Sequence, residues 1–300
     1  MRRRRGVLLA GGAALLVIAA AVIWLRGSSD RPISAEEAAT TYLRALESGD
    51  PAAVESTGID VSDAALTAFR DAEALIEDAE VVSVDQEGRT ATAQVTFTLD
   101  GTPHEATLSL ARESDRWRLG ESALGALTPS TAIGDSVRIG DAVLPASERL
   151  ALVPAAYAVT AAPPALLSGA NDAVVLPGAA TEIAIDAALR PAATEAAQEQ
   201  LDALLETCAS SSDPAPEGCG IRLPWGAEFR TVAEVSYRID AEPVIRLEPD
   251  GFTSDGGVLV ATVTGTGLDG AERTATYRTE DWSVRGDATF TGTGIVLDPW

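Results

Sequence analysis

Four consecutive arginines, Arg2 to Arg5, precede a run from Gly6 to Leu25 that contains no charged residue. An uninterrupted apolar stretch of that length has two stable destinations, a lipid bilayer or a protein core. Twenty helical residues at ~1.5 Å each span about 30 Å, the thickness of a bilayer's hydrocarbon interior. A cleavable export signal has a shorter apolar core, roughly 7–15 residues, ending at a small-x-small cleavage site. Ala19-Ala20-Ala21 can imitate that site, yet Val22, Ile23, Trp24 and Leu25 carry the apolar run past it. The expectation is an uncleaved transmembrane helix over 6–25; a cleaved signal and a buried helix of a soluble protein are the alternatives. No cysteine lies nearby to carry a lipid anchor. The positive-inside rule keeps residues 1–5 cytoplasmic as a basic tail, makes 26–32 a linker, and places the remaining chain outside. The lipid bilayer is then a partner, through residues 6–25.

Charge follows the same partition. The chain carries 22 basic residues, every one an arginine, against 45 acidic ones, for a formal charge of -23. Residues 1–26 hold five arginines and no acid, so residues 27–300 hold 17 arginines and all 45 acids. An exported surface this acidic fits cationic partners and lacks the basic stripe that phosphate backbones require, so no nucleic acid is expected as a partner. With no lysine, the chain cannot supply a Walker-A lysine, a Schiff-base lysine or the lysine of a Ser-x-x-Lys site. A single histidine, His104, rules out a His-Glu-x-x-His zinc site, and two cysteines rule out a four-thiolate one. No catalytic, cofactor or metal residue is assigned.

Cys208 and Cys219 flank a polar, Pro-containing segment that can bring its ends together. In an exported chain the pair reads as a disulfide, worth about 3 kcal/mol for so short a loop. A reduced redox or metal pair is the alternative, with a spacing far from Cys-x-x-Cys.

Within the exported part, Ser34 and Glu37 form a capping box ahead of Ala35, Ala38, Ala39, Tyr42, Leu43 and Leu46, which recur at helical spacing until Gly49. Asp50-Pro51 opens a second short helix, and a third is expected over Asp63 to Ile76. From Glu80 the period changes to two. Ala91, Ala93, Val95, Phe97 and Leu99 alternate with polar residues, and Asp100-Gly101 turns the chain toward Ala106, Leu108 and Leu110. A last strand carries Trp117 and Leu119. Helices followed by a curved antiparallel sheet make an α+β domain over residues 33–126. The element order, and the phrase Ala-Thr-Thr-Tyr-Leu-Arg-Ala-Leu-Glu-Ser-Gly-Asp-Pro-Ala-Ala-Val at 39–54, resemble the cone-shaped nuclear transport factor 2-like superfamily.

Residues 128–190 read as a small β-domain of short strands and Pro punctuation. Ser136 to Val143 and Leu152 to Val159 resemble the PEGA type of surface module, with Ala155 where that pattern has glycine. Residues 191–300 read as a second α+β domain: a helix from Pro191 to Thr207 with Ala197, Leu201, Leu204 and Leu205 on one face, the cysteine loop, then strands from Thr231 onward. There Leu268-Asp269-Gly270 followed by Trp282 echoes Leu99-Asp100-Gly101 followed by Trp117, the pattern of a repeated sheet. An anchor, a cone-like domain, a small β-domain and a second α+β domain together resemble the TcaA-type envelope proteins. That family often begins with a cytoplasmic zinc ribbon, and the residues before the anchor here supply none. The resemblance implies a non-enzymatic binding or scaffolding role in the cell envelope, with an envelope protein or cell-wall component as partner.

Cone-shaped domains can also be enzymes when the cavity holds a general acid or base, which makes a cavity enzyme the competing reading and a secreted binding protein a third. His104, beside the Asp100-Gly101 turn, is expected at a hairpin edge facing water. Tyr42, on the apolar face of the first helix, is expected to pack in the core with its hydroxyl on one partner. Glu36-Glu37, Glu77-Asp78 and Glu280-Asp281 read as solvated edges. Asp250 to Gly256 lacks calcium-loop spacing and reads as a hairpin turn.

Overall fold

The computed structural model describes residues 33–210, 219, 221 and 228–300. The basic tail, the expected transmembrane run and the linker lie outside the described residues. Among those described, no helix is long and apolar enough to cross a membrane. The architecture is mixed α+β, with few helices and mostly antiparallel sheets.

Helix α1 (Ala35–Ser48) starts where the cap demands: Ser34 Oγ accepts from the Glu37 N–H at 3.1 Å. It ends at Gly49, whose φ of 66° provides the left-handed turn that lets its N–H reach the Leu46 carbonyl. Helix α2 (Pro51–Ser56) is capped by Asp50, which accepts from the Ala52 N–H. Helix α3 (Asp63–Arg70) stops short of the expected Ile76. Non-local bonds take over the backbone there. Glu73 N–H donates to the Ala156 carbonyl at 2.9 Å, Ala156 N–H donates to Ala74 at 2.9 Å, and the Asp71 carboxylate accepts from the Asp141 N–H at 2.9 Å.

Strands β1 (Ile76–Glu87), β2 (Thr90–Leu99), β3 (Thr102–Glu113) and β4 (Arg116–Leu119) form an antiparallel meander in that order. Asp100 and Gly101, at φ 49° and 70°, are the two positive-φ residues that a tight right-twisting hairpin requires. Register shifts between Glu77 and Glu80 and between Val81 and Ser83 mark bulges in β1 that bend the sheet. Its inner face, Ala91, Ala93, Val95, Phe97 and Leu99, is buried, and α1 packs on the sheet.

A 3-10 turn, η1 (Glu121–Ala123), leads into the middle unit. One sheet there joins β5 (Gly125–Thr131) to β8 (Leu150–Leu152) on one side and, in parallel, to β12 (Ala180–Ile185) on the other. A second, antiparallel sheet runs β11 (Ala170–Val175), β9 (Ala155–Ala161), β6 (Ser136–Ile139), β7 (Ala142–Pro145). Strands β10 (Leu167–Ser168) and β13 (Ala188–Leu189) form a small pair. Ala155, Tyr157, Val159 and Ala161 alternate inward along β9. One hydrophobic cluster runs without a break from Ala35 through this unit to Ala193 and Phe290, so the first two units share a core.

Helix α4 (Pro191–Ser210) begins the last unit. Strands β14 (Phe229–Ala241) and β15 (Val244–Leu247) lie end to end along one edge of β16 (Gly251–Gly267), broken at Glu242-Pro243 where proline cannot donate to the ladder. Beyond β16 come β17 (Glu272–Phe290) and β18 (Ile295–Pro299). Ala197, Leu201 and Leu205 of α4 pack on Trp282, Val284 and Ala288. The result repeats the topology of the first unit. A helix covers four antiparallel lanes, the first lane begins beside the Asp-Gly turn (Ile76 opposite Leu99, Phe229 opposite Gly267), and a short fourth lane pairs with the end of the third. The segment expected to turn at Asp250 to Gly256 does so only at its start. Glu248 N–H donates to the Gly251 carbonyl at 2.8 Å, whereas Asp255 lies within β16, next to a register shift at Gly256 with φ 79°.

Candidate functional site

The interior of the first unit is apolar, with Leu43, Leu46, Phe69 and Phe97 buried in it. Tyr42 is fully buried, and its hydroxyl donates to the Ala123 carbonyl at 2.6 Å. Desolvation, reinforced by nearby Tyr157, pushes the Tyr42 phenol far above its ordinary pKa, so it stays protonated with that proton committed to Ala123. Tyr157 donates likewise to the Val153 carbonyl and is raised by burial. His104 is only partly exposed. It sits opposite Phe97 in the β2–β3 ladder, half-buried, with the two rings 5.7 Å apart and tilted by 30°. Alternation along β3 puts it on the same face as Ala106 and Leu108, which a reading based on the neighbouring turn overlooks. Neither Tyr42 nor His104 lines the groove or the surface depression described below.

A groove of about 490 Å³ lies instead at the junction of the first and middle units. Its floor is the end of the β12–β5–β8 sheet, where Gly125, Ala126, Ala151 and Gly178-Ala179 leave no bulky side chain. Two backbone bonds hold that floor: Gly178 N–H to the Leu124 carbonyl at 2.9 Å and Ala126 N–H to the Ala179 carbonyl at 2.8 Å. A methyl at Gly125 would run into Val175 Cγ1 and the Leu176 carbonyl, so only glycine fits. Asp60, from the α2–α3 link, and Glu121, from η1, supply two carboxylates, and Arg149, just before β8, supplies a guanidinium. All three side chains are exposed, and none makes an ion pair among the described residues.

The first unit's packing positions this groove. Tyr42 holds Ala123, Ser122 Oγ accepts from the Ser109 N–H at 2.9 Å, and Gly120 N–H donates to the Ser109 carbonyl at 2.8 Å. Together these fasten η1, and with it Glu121, between α1 and β3. Asp60, Glu121 and Arg149 went unread in the sequence because they come from separated segments with no motif. The small pairs Gly125-Ala126 and Gly178-Ala179 are the one local signal.

A second depression, about 330 Å³, is a surface dent at the β3–β4 turn, where Arg118 pairs with Glu113 at 2.9 Å and Asp115 with Arg112 at 3.7 Å. On the last unit, Glu242 lies near Asp202 and Glu206, and desolvation plus those two charges raise its pKa. No group of three or more His, Cys, Asp or Glu among the described residues is arranged to hold a metal. Asp240 takes hydrogen bonds from Arg238 and Arg278, which lower its pKa. Two buried polar atoms here, the Tyr277 hydroxyl and the Trp282 indole N–H, have no hydrogen-bond partner.

The predicted pair Cys208–Cys219 is a disulfide, with Cα atoms 5.8 Å apart and both residues buried. Glu36-Glu37, Glu77-Asp78 and Glu280-Asp281 are exposed as expected. No protein-family model, curated protein or solved structure matches this chain.

Proposed function

We propose that this is a single-pass membrane protein whose extracytoplasmic units bind or scaffold a component of the cell envelope, without catalysing a reaction. The observation that carries the reading is the contrast between a buried, structurally bonded Tyr42 and an open groove. The hydroxyl of Tyr42 is committed to the Ala123 carbonyl, whereas the groove presents charges of both signs. Binding sites keep charged groups available and fixed by rigid surroundings, as η1 and the β5 floor do here. The uncharged run over 6–25 behind four arginines supports the anchor, and the Cys208–Cys219 bond fits an oxidising compartment. The order of an anchor, helix-covered sheet, small β-unit and second helix-covered sheet is the basis of the resemblance to the nuclear transport factor 2-like and TcaA-type envelope proteins.

Alkaline carbonate extraction of membranes from cells making the full chain tests the anchor, followed by N-terminal sequencing of the pellet. The expected result is a membrane-retained protein that begins at or next to Met1. A chain beginning near Val22, or one released by carbonate, refutes it.

A further inference from the structure

We infer that the junctional groove is a site for a short zwitterionic peptide, whose carboxylate meets Arg149 and whose ammonium meets Asp60 and Glu121. This deepens the binding role above and rests on it. Three features fix the chemistry. The charged groups of both signs line one cavity and make no ion pair among the described residues, so their hydrogen-bonding capacity is open to a ligand. Between them lies a floor of glycine and alanine, with Leu124 beside it, which leaves room for a peptide backbone to lie close to the sheet. That floor crosses three strands, about 10 Å at ~4.8 Å per strand spacing, which is long enough to hold an extended dipeptide, whose termini lie about 7 Å apart. A ligand with one charge, or none, leaves part of the lining unpaired. A single anion gains Arg149 but meets two carboxylates.

The test uses the full chain in detergent micelles and dialanine as the probe, with ligand-observed NMR titration against three capped forms: N-acetyl, C-amide and doubly capped. Each cap is expected to weaken binding about fivefold, the effect of removing one partly solvated charge contact. Arg149→Gln should abolish discrimination against the C-amide and leave discrimination against the N-acetyl form intact. Asp60→Asn combined with Glu121→Gln should do the reverse. These side chains are exposed, so the variants fold, and a merely structural effect would weaken all four ligands alike. Equal binding of free and doubly capped dialanine, no saturable binding, or loss of both discriminations in either variant overturns the proposal. The membrane location is read separately by carbonate extraction, so failure of the peptide site is distinguishable from failure of the anchored-protein reading.

Discussion

Replacing Tyr42 by phenylalanine tests how much the buried bond from its hydroxyl holds the first unit together. The substitution keeps the ring and removes the hydroxyl that donates to Ala123 at 2.6 Å in a fully buried setting. Losing the bond costs about 1 kcal/mol, and leaving the Ala123 carbonyl unsatisfied brings the total to about 2 kcal/mol. Because the core cluster runs from Ala35 to Phe290, the loss falls on a large cooperative unit and lowers Tm by about 4–8 °C. A second readout separates the hydroxyl from general damage. Burial raises the phenol above its ordinary 10.0 in the folded state. Stability from this group is therefore complete below pH 10 and is lost as pH rises, because the unfolded phenol ionises first. Wild type should then lose about 1.4 kcal/mol more stability per pH unit above 10 than Tyr42→Phe does. Denaturant titrations at pH 8, 10 and 11 would measure both effects. A variant with unchanged Tm at pH 8 and an alkaline slope equal to wild type would mean that the hydroxyl is neither bonded nor shielded.

Three further predictions concern the last unit. Replacing Cys208 and Cys219 together by serine should lower stability by about 3 kcal/mol, the constraint expected of a loop this short, measured by chemical denaturation under oxidising conditions. Glu242→Gln should stabilise at neutral pH by no more than about 0.5 kcal/mol, given its partial exposure. With its folded pKa raised, the neutral form of Glu242 is the favoured one, so the gain should vanish below the ordinary carboxylate range and appear as pH rises through the folded pKa; a gain that persists in acid would contradict the cause. Tyr277→Phe removes a buried hydroxyl without a partner, so it should raise stability by about 1 kcal/mol, and a loss of that size would mean the hydroxyl is satisfied.

Local signals were legible in the sequence wherever a short-range device dictates the backbone. Ser34, Gly49 and Asp50 set helix ends through caps, and Asp100-Gly101 and Asp269-Gly270 set hairpins through their conformational tolerance. The alternation along β2 named its buried face correctly. What escaped was set by distant partners. Helix α3 ends early because Ala156 and Asp141 bind the residues that would continue it. His104 is half-buried because Phe97 lies across the ladder, not because of the adjacent turn. The groove escaped altogether, since Asp60, Glu121 and Arg149 meet only after two units dock.

Protease shaving of intact spheroplasts measures directly whether these units face outward from an uncleaved anchor. Proteinase K added outside should digest the chain from about residue 26 onward and leave a small protected fragment containing Arg2 to Arg5 and the apolar run, identified by mass spectrometry. Full protection of the chain until the membrane is broken would place these units in the cytoplasm and contradict the account.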